Sequence, residues 1–248
     1  MNILAVIPAR MGSSRFPGKP MAKINGKPMI GHVYERVIQC ELLTKTVVAT
    51  CDSEIEAYIS SIGGKAVMTS NLHERASDRC AEALLHIEKE DKVTYDIVVL
   101  VQGDEPMTHP DMITESLKPL IQDDEVMVVN LLGNIESDEE FEDRNCIKVV
   151  CDLKGNAIYF SREPIPTRGK TEKITKKKQI CVIPFKRDFL LKYTALEPTP
   201  LEIAESVDMM RVLEHGYKVK MVATRHQTFS VDTPEDLVRV ESYMQNSD

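Results

Sequence analysis

Short β-rich runs alternate with longer amphipathic patterns through the first half of the chain, and this alternation limits the folds that the chain can adopt. Apolar and β-branched residues dominate four runs, at 2–7, 46–50, 65–68 and 97–101. Between these runs, apolar residues recur every three or four positions, as in helices that cover a sheet, over 29–40, 54–62 and 78–90. The alternation predicts βαβ units and therefore an α/β fold with a doubly wound, mainly parallel sheet.

The order is looser beyond about Pro110. We expect strands at 126–131, 147–151, 158–160 and 218–222. Helical patterns cover 111–122, 186–193 and 201–216, and a last helix opens at Thr233-Pro234. Gly63-Gly64 is typical of a helix C-terminus, and Ser53 and Ser77 are placed where N-caps are useful. The polar, lysine-rich stretch 167–178 is expected to be an exposed loop, with a mobile anion-gathering lid as the alternative.

Charge and hydropathy exclude some classes of partner. The formal net charge of -8 disfavours a nucleic-acid or anionic-membrane surface, which normally needs a basic face. No apolar run approaches the roughly 20 residues that span a bilayer, so we expect a cytoplasmic protein with no membrane partner. The six cysteines show neither C-x-x-C pairs nor histidines at metal-ligand spacing, and they are expected to be packing residues.

A loop rich in small and basic residues follows the first predicted strand. Its sequence is Pro8-Ala9-Arg10-Met11-Gly12-Ser13-Ser14-Arg15-Phe16-Pro17-Gly18-Lys19-Pro20. Five basic residues precede the first acidic residue of the chain, Glu35: they are Arg10, Arg15, Lys19, Lys23 and Lys27. Small residues let backbone N–H groups approach phosphate oxygens, which arginine and lysine neutralise. A strand end with this composition predicts a nucleoside-triphosphate site, and a Gly/Pro-rich turn with solvated cations is the alternative.

The loop has neither the G-x-x-x-x-G-K-[ST] order of a P-loop nor the G-x-G-x-x-G order of a dinucleotide fold. ATPases and dehydrogenases are therefore disfavoured.

Two aspartates follow apolar runs that are far apart in the sequence. Asp104 ends the run 97–101 after Gln102-Gly103, and Asp232 stands just before the last helix. Mg²⁺ binds one or two carboxylates together with phosphate oxygens, so the two residues are candidate metal ligands. Asp232 could equally serve as the N-cap of the helix that follows it.

Five blocks, in order along nearly the whole chain, resemble the 3-deoxy-manno-octulosonate cytidylyltransferases (CMP-Kdo synthetases). They are the loop 8–20, Asn25-Gly-Lys-Pro-Met-Ile, Val101-Gln-Gly-Asp-Glu-Pro, Tyr159-Phe-Ser-Arg and Val231-Asp-Thr-Pro-Glu-Asp-Leu. The resemblance implies a nucleotide-diphosphosugar-transferase-like α/β fold, a homodimer, and transfer from CTP to a 3-deoxy sugar acid with Mg²⁺ as cofactor. It also implies one domain, with a nucleotide-binding core at 1–110 plus 218–248 and a sugar-binding and dimerisation part at 111–217.

The resemblance also assigns roles to single residues. Arg10, Lys19 and Asp104 are expected in catalysis, and Asp104 and Asp232 as the magnesium ligands. The nucleotide is expected to contact Pro8, Ala9, Arg10, Gly12, Ser13, Arg15, Lys19, Ser77, Asp78 and Arg79. The sugar acid is expected to contact Gln102, Arg162, Gln179 and Asp208, with Arg162 as the partner of its carboxylate.

The chain departs from the family in the part that faces the sugar. The family's Ser-Gly-Thr-Asp-Arg reads Arg75-Ala-Ser-Asp-Arg here, its His-x-Gly-x-Tyr strand falls within 179–185, and its Glu-Gln-Leu-Arg reads Asp208-Met-Met-Arg. Losing several polar partners at once should change which hydroxyl-rich sugar is accepted, because an unmatched buried polar group costs about 1–3 kcal/mol. Core packing of Met209 and Met210 is the alternative explanation for that segment.

Three activities remain open from the sequence. The residues favour activation of Kdo or a related 3-deoxy-ulosonic acid. CTP-dependent transfer to a sialic-type acid or a polyol phosphate is the second choice, and nucleotide binding without catalysis is the third.

Overall fold

The computed structural model describes residues 1–12, 15–167 and 175–245 of the 248-residue chain. Its strands are β1 Ile3–Pro8, β2 Lys23–Ile24, β3 Lys27–Pro28, β4 Lys45–Thr50, β5 Ala66–Met68, β6 Ile97–Val101, β7 Val129–Asn134, β8 Lys148–Cys151, β9 Ala157–Ser161, β10 Lys177–Ile180, β11 Val182–Lys186 and β12 Lys220–Ala223. Its α-helices are α1 Met29–Val37, α2 Ser53–Ser61, α3 Ala76–Asp91, α4 Pro110–Gln122, α5 Asp138–Glu142, α6 Arg187–Thr194, α7 Pro200–Glu205, α8 Asp208–Glu214 and α9 Pro234–Gln245.

The chain divides into two compact units. The first consists of Met1–Thr114 and Gln227–Asp248, and the second of Glu115–His226. The predicted division lay at 110 and 218. The strand predicted at 218–222 therefore belongs to the second unit, where β12 pairs in parallel with β7.

The first unit is built on four parallel strands in the order β6-β1-β4-β5. β1 and β6 are buried along their whole length, because helices cover both faces of such a sheet. The chain runs from β1 through β4 to β5 on one side and then returns to place β6 on the other side of β1. The predicted α/β class and parallel order are confirmed for this unit.

The second unit has a mixed sheet in the order β12-β7-β10-β8-β9. β7, β10, β8 and β9 pair antiparallel in turn. β10 begins at Lys177, so the end of the lysine-rich stretch is a strand and not a loop. Residues 168–174 of that stretch lie outside the described part of the chain.

Several predicted helix boundaries were wrong. The N-caps of α2 and α3 are Asp52 and Arg75, and Ser53 and Ser77 are already helical. Gly63 does follow the C-terminus of α2 with a φ of 77°, which explains the glycine at that position. Among the described helices, none has the length and apolar character that a bilayer-crossing segment needs.

The long pattern 201–216 is two helices, because Ser206 takes a left-handed φ of 52° and ends α7. The break leaves backbone carbonyls of the last turn without helical partners. Arg162 satisfies two of them, since its Nε donates to the Glu205 carbonyl at 2.6 Å and its Nη2 donates to the Ser206 carbonyl at 3.3 Å.

Candidate active site

A cleft of about 320 Å³ lies at the carboxyl ends of β1 and β6 in the first unit. Ligands of open α/β sheets bind where the strand order reverses, and here it reverses between these two strands. The cleft is lined by Pro8, Ala9, Arg10, Gly12, Arg15, Lys19, Pro20, Met29, Gln102, Gly103 and Asp104. Ser13 lies outside the described residues. The structure therefore brings the described residues of the basic loop together with Gln102 and Asp104.

Hydrogen bonds hold the described residues of the basic loop both near its beginning and near its end. The Ala9 N–H donates to the Ala49 carbonyl at 2.9 Å, and the Met11 N–H donates to Asp52 Oδ2 at 2.8 Å. Gly18 takes a φ of 74° as its N–H bonds the Met11 carbonyl, and it precedes a short 3-10 helix, Lys19–Met21. A residue with a Cβ is strained at that φ, so glycine is needed for the turn that points Lys19 into the cleft.

Gly103 lets the two strand ends approach each other. A Cβ added there would lie 2.9 Å from the Pro8 carbonyl oxygen, a contact that would push β6 away from β1. The glycine in Gln102-Gly103-Asp104 therefore brings Gln102 and Asp104 close to the basic loop.

Lys19 lies between the two predicted metal ligands. Its Nζ is 2.6 Å from Asp104 Oδ2 and 3.3 Å from Asp232 Oδ1, and Arg15 reaches Asp232 at 2.9 Å. The side chains of Lys19, Asp104 and Asp232 are 12%, 25% and 13% exposed. Burial lowers the pKa of Lys19, but the charges of Asp104 and Asp232 outweigh it and hold the pKa above its usual value. The ammonium is therefore charged at neutral pH and cannot act as a base there.

This carboxylate pair suits a divalent cation. Two carboxylate oxygens already reach one cationic atom, Lys19 Nζ, so both can contact a single metal ion. Magnesium takes hard oxygen ligands and commonly uses one or two carboxylates beside substrate phosphates. Asp104, which lines the cleft, and Asp232, which contacts Lys19 beside it, could hold such an ion.

Asp232 is held beside Asp104 by contacts from distant parts of the sequence. The Val231 N–H donates to the Asp104 carbonyl at 3.0 Å, and Thr228 Oγ1 donates to Glu105 Oε2 at 2.7 Å. Val231 also packs in a buried apolar cluster with Ile24, Met29, Val240 and Met244, which anchors α9.

The alternative role of Asp232 as an N-cap does not hold. The side chain of Thr233 accepts from the Asp236 N–H at 3.2 Å, and Asp236 Oδ2 accepts from the Thr233 N–H at 3.0 Å. This reciprocal pair caps the start of α9. The Asp232 carboxylate instead contacts Arg15 and Lys19, which both line the cleft.

The three predicted nucleotide residues at the start of α3 are not among the residues lining the cleft. Ser77 and Arg79 are buried, and Asp78 is partly buried. Arg79 Nη1 donates to Thr69 Oγ1 at 2.5 Å, whereas its Nη2 is buried with no hydrogen-bond partner among the described residues. Their role toward a nucleotide stays a prediction.

The other predicted sugar residues lie in the second unit. Arg162 is partly buried and its guanidinium donates to main-chain carbonyls, with Nη1 reaching the Arg144 carbonyl at 2.8 Å. Asp208 begins α8, and its carbonyl accepts from Tyr193 Oη at 3.0 Å. Met209 and Met210 are each 1% exposed, as the core-packing explanation expects.

The buried Asn130 determines which side-chain atom of Gln179 donates a hydrogen bond and which is left to accept one. Asn130 Nδ2 donates to the carbonyls of Leu131 at 3.0 Å and Ile180 at 2.7 Å, and carbonyls can only accept. Asn130 Oδ1 must then be the atom that meets Gln179, which donates through its Nε2 at 2.5 Å. Gln179 Oε1 has no partner among the described residues, so this side chain can offer a hydrogen-bond acceptor.

Sequence reasoning missed Asp52 and Gly103 as residues that shape the cleft. Asp52 follows the carboxyl end of β4 and bonds the loop at Met11. Polar residues that follow parallel strands collect around a bound ligand. This rule, applied to the end of β4, would have identified Asp52. Gly103 lies within the Gln-Gly-Asp-Glu-Pro block, but a close approach of two strand ends has no sequence signal of its own.

Comparisons with known proteins agree with this geometry. The chain matches the cytidylyltransferase family over residues 4–221. The 3-deoxy-manno-octulosonate cytidylyltransferase of Geotalea uraniireducens is 43% identical over 251 residues, which cover 97% of this chain and 98% of the relative. That of Syntrophus aciditrophicus is 43% identical over 244 residues, which cover 98% of this chain and 97% of the relative.

The solved structure of a CMP:2-keto-3-deoxy-manno-octonic acid synthetase complexed with CTP has a TM-score of 0.89 and 37% identity, with 100% of both chains covered. A 4-diphosphocytidyl-2C-methyl-D-erythritol synthase from Anaerococcus prevotii, with a TM-score of 0.63 and 14% identity over 98% of each chain, shares the fold. Fold and cleft thus define an α/β nucleotidyltransferase. Within that class, the chain belongs to the cytidylyltransferase family, as the sequence resemblance predicted.

Proposed function

We propose that the protein transfers the cytidylyl group of CTP to Kdo or a closely related 3-deoxy sugar acid and releases pyrophosphate. One observation carries the proposal: a cleft at the β1–β6 strand ends combines Arg10, Arg15 and Lys19 with the carboxylate of Asp104, and Asp232 pairs with Arg15 and Lys19 beside it. Relatives above 40% identity across nearly the whole chain are named for this reaction.

The reaction is an in-line displacement at the α-phosphorus of CTP. The anomeric hydroxyl oxygen of the sugar acid forms the new P–O bond, and the bond to the β-phosphate oxygen breaks. The hydroxyl proton passes to solvent, and pyrophosphate leaves with the electron pair. No covalent enzyme intermediate is required, so catalysis rests on positioning and on charge stabilisation.

The basic residues of the cleft have distinct tasks. Arg10 and Arg15 are exposed enough to meet phosphate oxygens, and an arginine fork can hold two of them at once. Lys19 is less exposed and carries a compact charge, so it suits the negative charge that grows on the leaving pyrophosphate. Asp104 and Asp232 would hold Mg²⁺, which when bound polarises phosphate oxygens and lowers the repulsion that an incoming hydroxyl meets.

Gln102 lines the cleft and is expected to contact the acceptor there. Arg162, Gln179 and Asp208 stay candidate acceptor contacts within the second unit. Arg162 would pair with the carboxylate of the sugar acid. Gln179 presents Oε1, so the sugar group that it meets should be a donor such as a hydroxyl or an amine.

The proposed assembly is a homodimer formed through the second unit. This unit exposes the large apolar side chains Leu153, Ile158 and Ile203, with relative exposures of 107%, 58% and 64%. Sedimentation velocity at micromolar concentration should give a dimer. A monomer at all concentrations would contradict this part of the proposal.

The direct test is pyrophosphate release with a matrix of substrates. CTP, UTP and ATP are each offered with Kdo, modified Kdo, another 3-deoxy-ulosonic acid, a sialic acid and a polyol phosphate. We expect release with CTP and at least one 3-deoxy-ulosonic acid, and formation of the CMP-sugar by mass spectrometry. No release with any of these acids would refute the proposal, and release with a polyol phosphate alone would change the acceptor class.

A further inference from the structure

Helix α3 holds the loop that precedes it through two side chains one turn apart. Arg79 Nη1 donates to Thr69 Oγ1 at 2.5 Å. Glu82 Oε2 accepts from the Ser70 N–H at 2.9 Å and contacts His73 Nε2. Both ends of the segment 69–73 are therefore fixed to one rigid helix.

The same segment reaches the cleft through its main chain. Arg10 Nη1, on the basic loop, donates to the His73 carbonyl at 3.2 Å. Among the described residues, this carbonyl is the hydrogen-bond partner of the Arg10 guanidinium. The side chain of His73 thus meets Glu82 while its carbonyl meets Arg10, so the residue links the helix to the cleft.

Glu82 is charged at neutral pH. Burial raises the pKa of Glu82, but its bonds from Ser70 and His73 outweigh this effect and leave the pKa below the usual value. His86 faces the other carboxylate oxygen, with Nε2 3.8 Å from Oε1. The side chains of His73 and Glu82 are 24% and 27% exposed, so their contact is partly shielded from solvent.

We propose that Glu82 is a positioning residue for nucleotide binding: it fixes the segment 69–73 through Ser70 and His73, so that the His73 carbonyl holds the Arg10 guanidinium at the cleft. An arginine already held in place loses less conformational freedom when it binds an anion, which strengthens binding without a new contact. The inference rests on the proposed function, because the anion is the triphosphate of CTP.

Two variants break this link at different points. Glu82→Gln keeps an acceptor oxygen for Ser70 but removes the charge, and His73→Leu removes the ring but keeps the carbonyl that Arg10 uses. Calorimetric titration with CTP, without a sugar acid, should give a dissociation constant about fivefold higher for each variant. With the sugar acid present, KM for CTP should rise by a similar factor while kcat at saturating CTP stays within about twofold.

Glu90→Gln is the matched control. Glu90 lies on the same helix and bonds the exposed Lys65, so its replacement should leave CTP affinity unchanged. If Glu82→Gln does not fold, His73→Leu still tests the link, because it leaves the bond between Glu82 and Ser70 in place.

A double-mutant cycle separates positioning from general damage. In an Arg10→Ala background, Glu82→Gln should have no further effect on CTP affinity, since the residue acts through Arg10. Wild-type affinity in both single variants, or an equal loss with and without Arg10, would overturn the proposal. Failure of the wild-type protein to bind CTP would refute the proposed function instead.

Discussion

Replacing Lys19 by methionine should weaken the nucleotide-free protein and at the same time make it more responsive to Mg²⁺. The variant keeps an unbranched, flexible stem but leaves the Asp104 and Asp232 carboxylates without the ammonium that contacts both. A hydrogen bond to a charged group contributes about 1.5–3 kcal/mol. Arg15 still reaches Asp232, and a quarter of the Asp104 side chain is exposed, so we expect a loss of about 2 kcal/mol in the free energy of unfolding.

Urea unfolding at pH 7.5, followed by circular dichroism with and without Mg²⁺, measures both effects. The ion should stabilise Lys19→Met more than the wild type, because the lysine no longer competes with the ion for Asp104 and Asp232. Turnover should fall by about 10²- to 10³-fold, since a group that stabilises charge in the transition state is lost.

Lys27→Met is the matched control. Lys27 comes from the same basic N-terminal segment but pairs with Glu35 at the surface, where each side chain is about 40% exposed. Its replacement should change stability by less than about 1 kcal/mol and leave the Mg²⁺ response unchanged. Equal stability of Lys19→Met and the wild type, or equal Mg²⁺ responses, would refute the role assigned to the lysine.

Three further outcomes are expected. Asp104→Asn should abolish pyrophosphate release while calorimetry still detects weak CTP binding; wild-type turnover would rule out Asp104 as a metal ligand. The bond from Lys45 holds the pKa of Asp91 below its usual value, so Asp91→Asn should destabilise at pH 7, with a difference that begins to shrink as the pH falls below about 4 and is lost only below the lowered pKa of the folded state; a difference that does not shrink on acidification would contradict this cause. Glu202→Gln leaves the buried Arg211 guanidinium without its bidentate carboxylate, and urea unfolding should show a loss of about 3–5 kcal/mol, whereas a loss under about 1 kcal/mol would contradict the importance of that pair.

Periodicity predicted the first unit well because its strands are buried on both faces and its helices on one. β6 was predicted at the observed residues, and β1 and β4 within one residue at each end. The rule that ligands collect at parallel strand ends then placed the basic loop and Asp104 at one site. Hydrophobic periodicity and position at a strand end are both local sequence patterns, and each determines where its residues lie in an α/β fold.

Other features depend on contacts that no local pattern records. Whether Asp232 faces the cleft or caps a helix is decided by the Thr233–Asp236 cap and by the bond from Val231 to Asp104. The break at Ser206 between α7 and α8 depends on a backbone conformation whose exposed carbonyls are met by Arg162.

The second unit was harder to predict for a related reason. Its short strands pair mostly antiparallel and alternate in burial less regularly, so β7 lies three residues later than expected. Cys181 separates β10 from β11 within a run that looks like one strand. Which atom of the Gln179 amide donates and which can accept depends on Asn130, which is distant in the sequence. This assignment therefore follows only from the three-dimensional arrangement.

A crystal structure with CTP and Mg²⁺ tests the central claim most directly, namely that the cluster around Lys19 is the site of cytidylyl transfer. We expect the triphosphate within hydrogen-bond distance of Arg10, Arg15 and Lys19, with the metal ion on Asp104 and Asp232. Lys19 should have turned from these carboxylates toward the phosphates. A triphosphate bound elsewhere, or Lys19 still bridging the two aspartates beside a bound nucleotide, would contradict the claim.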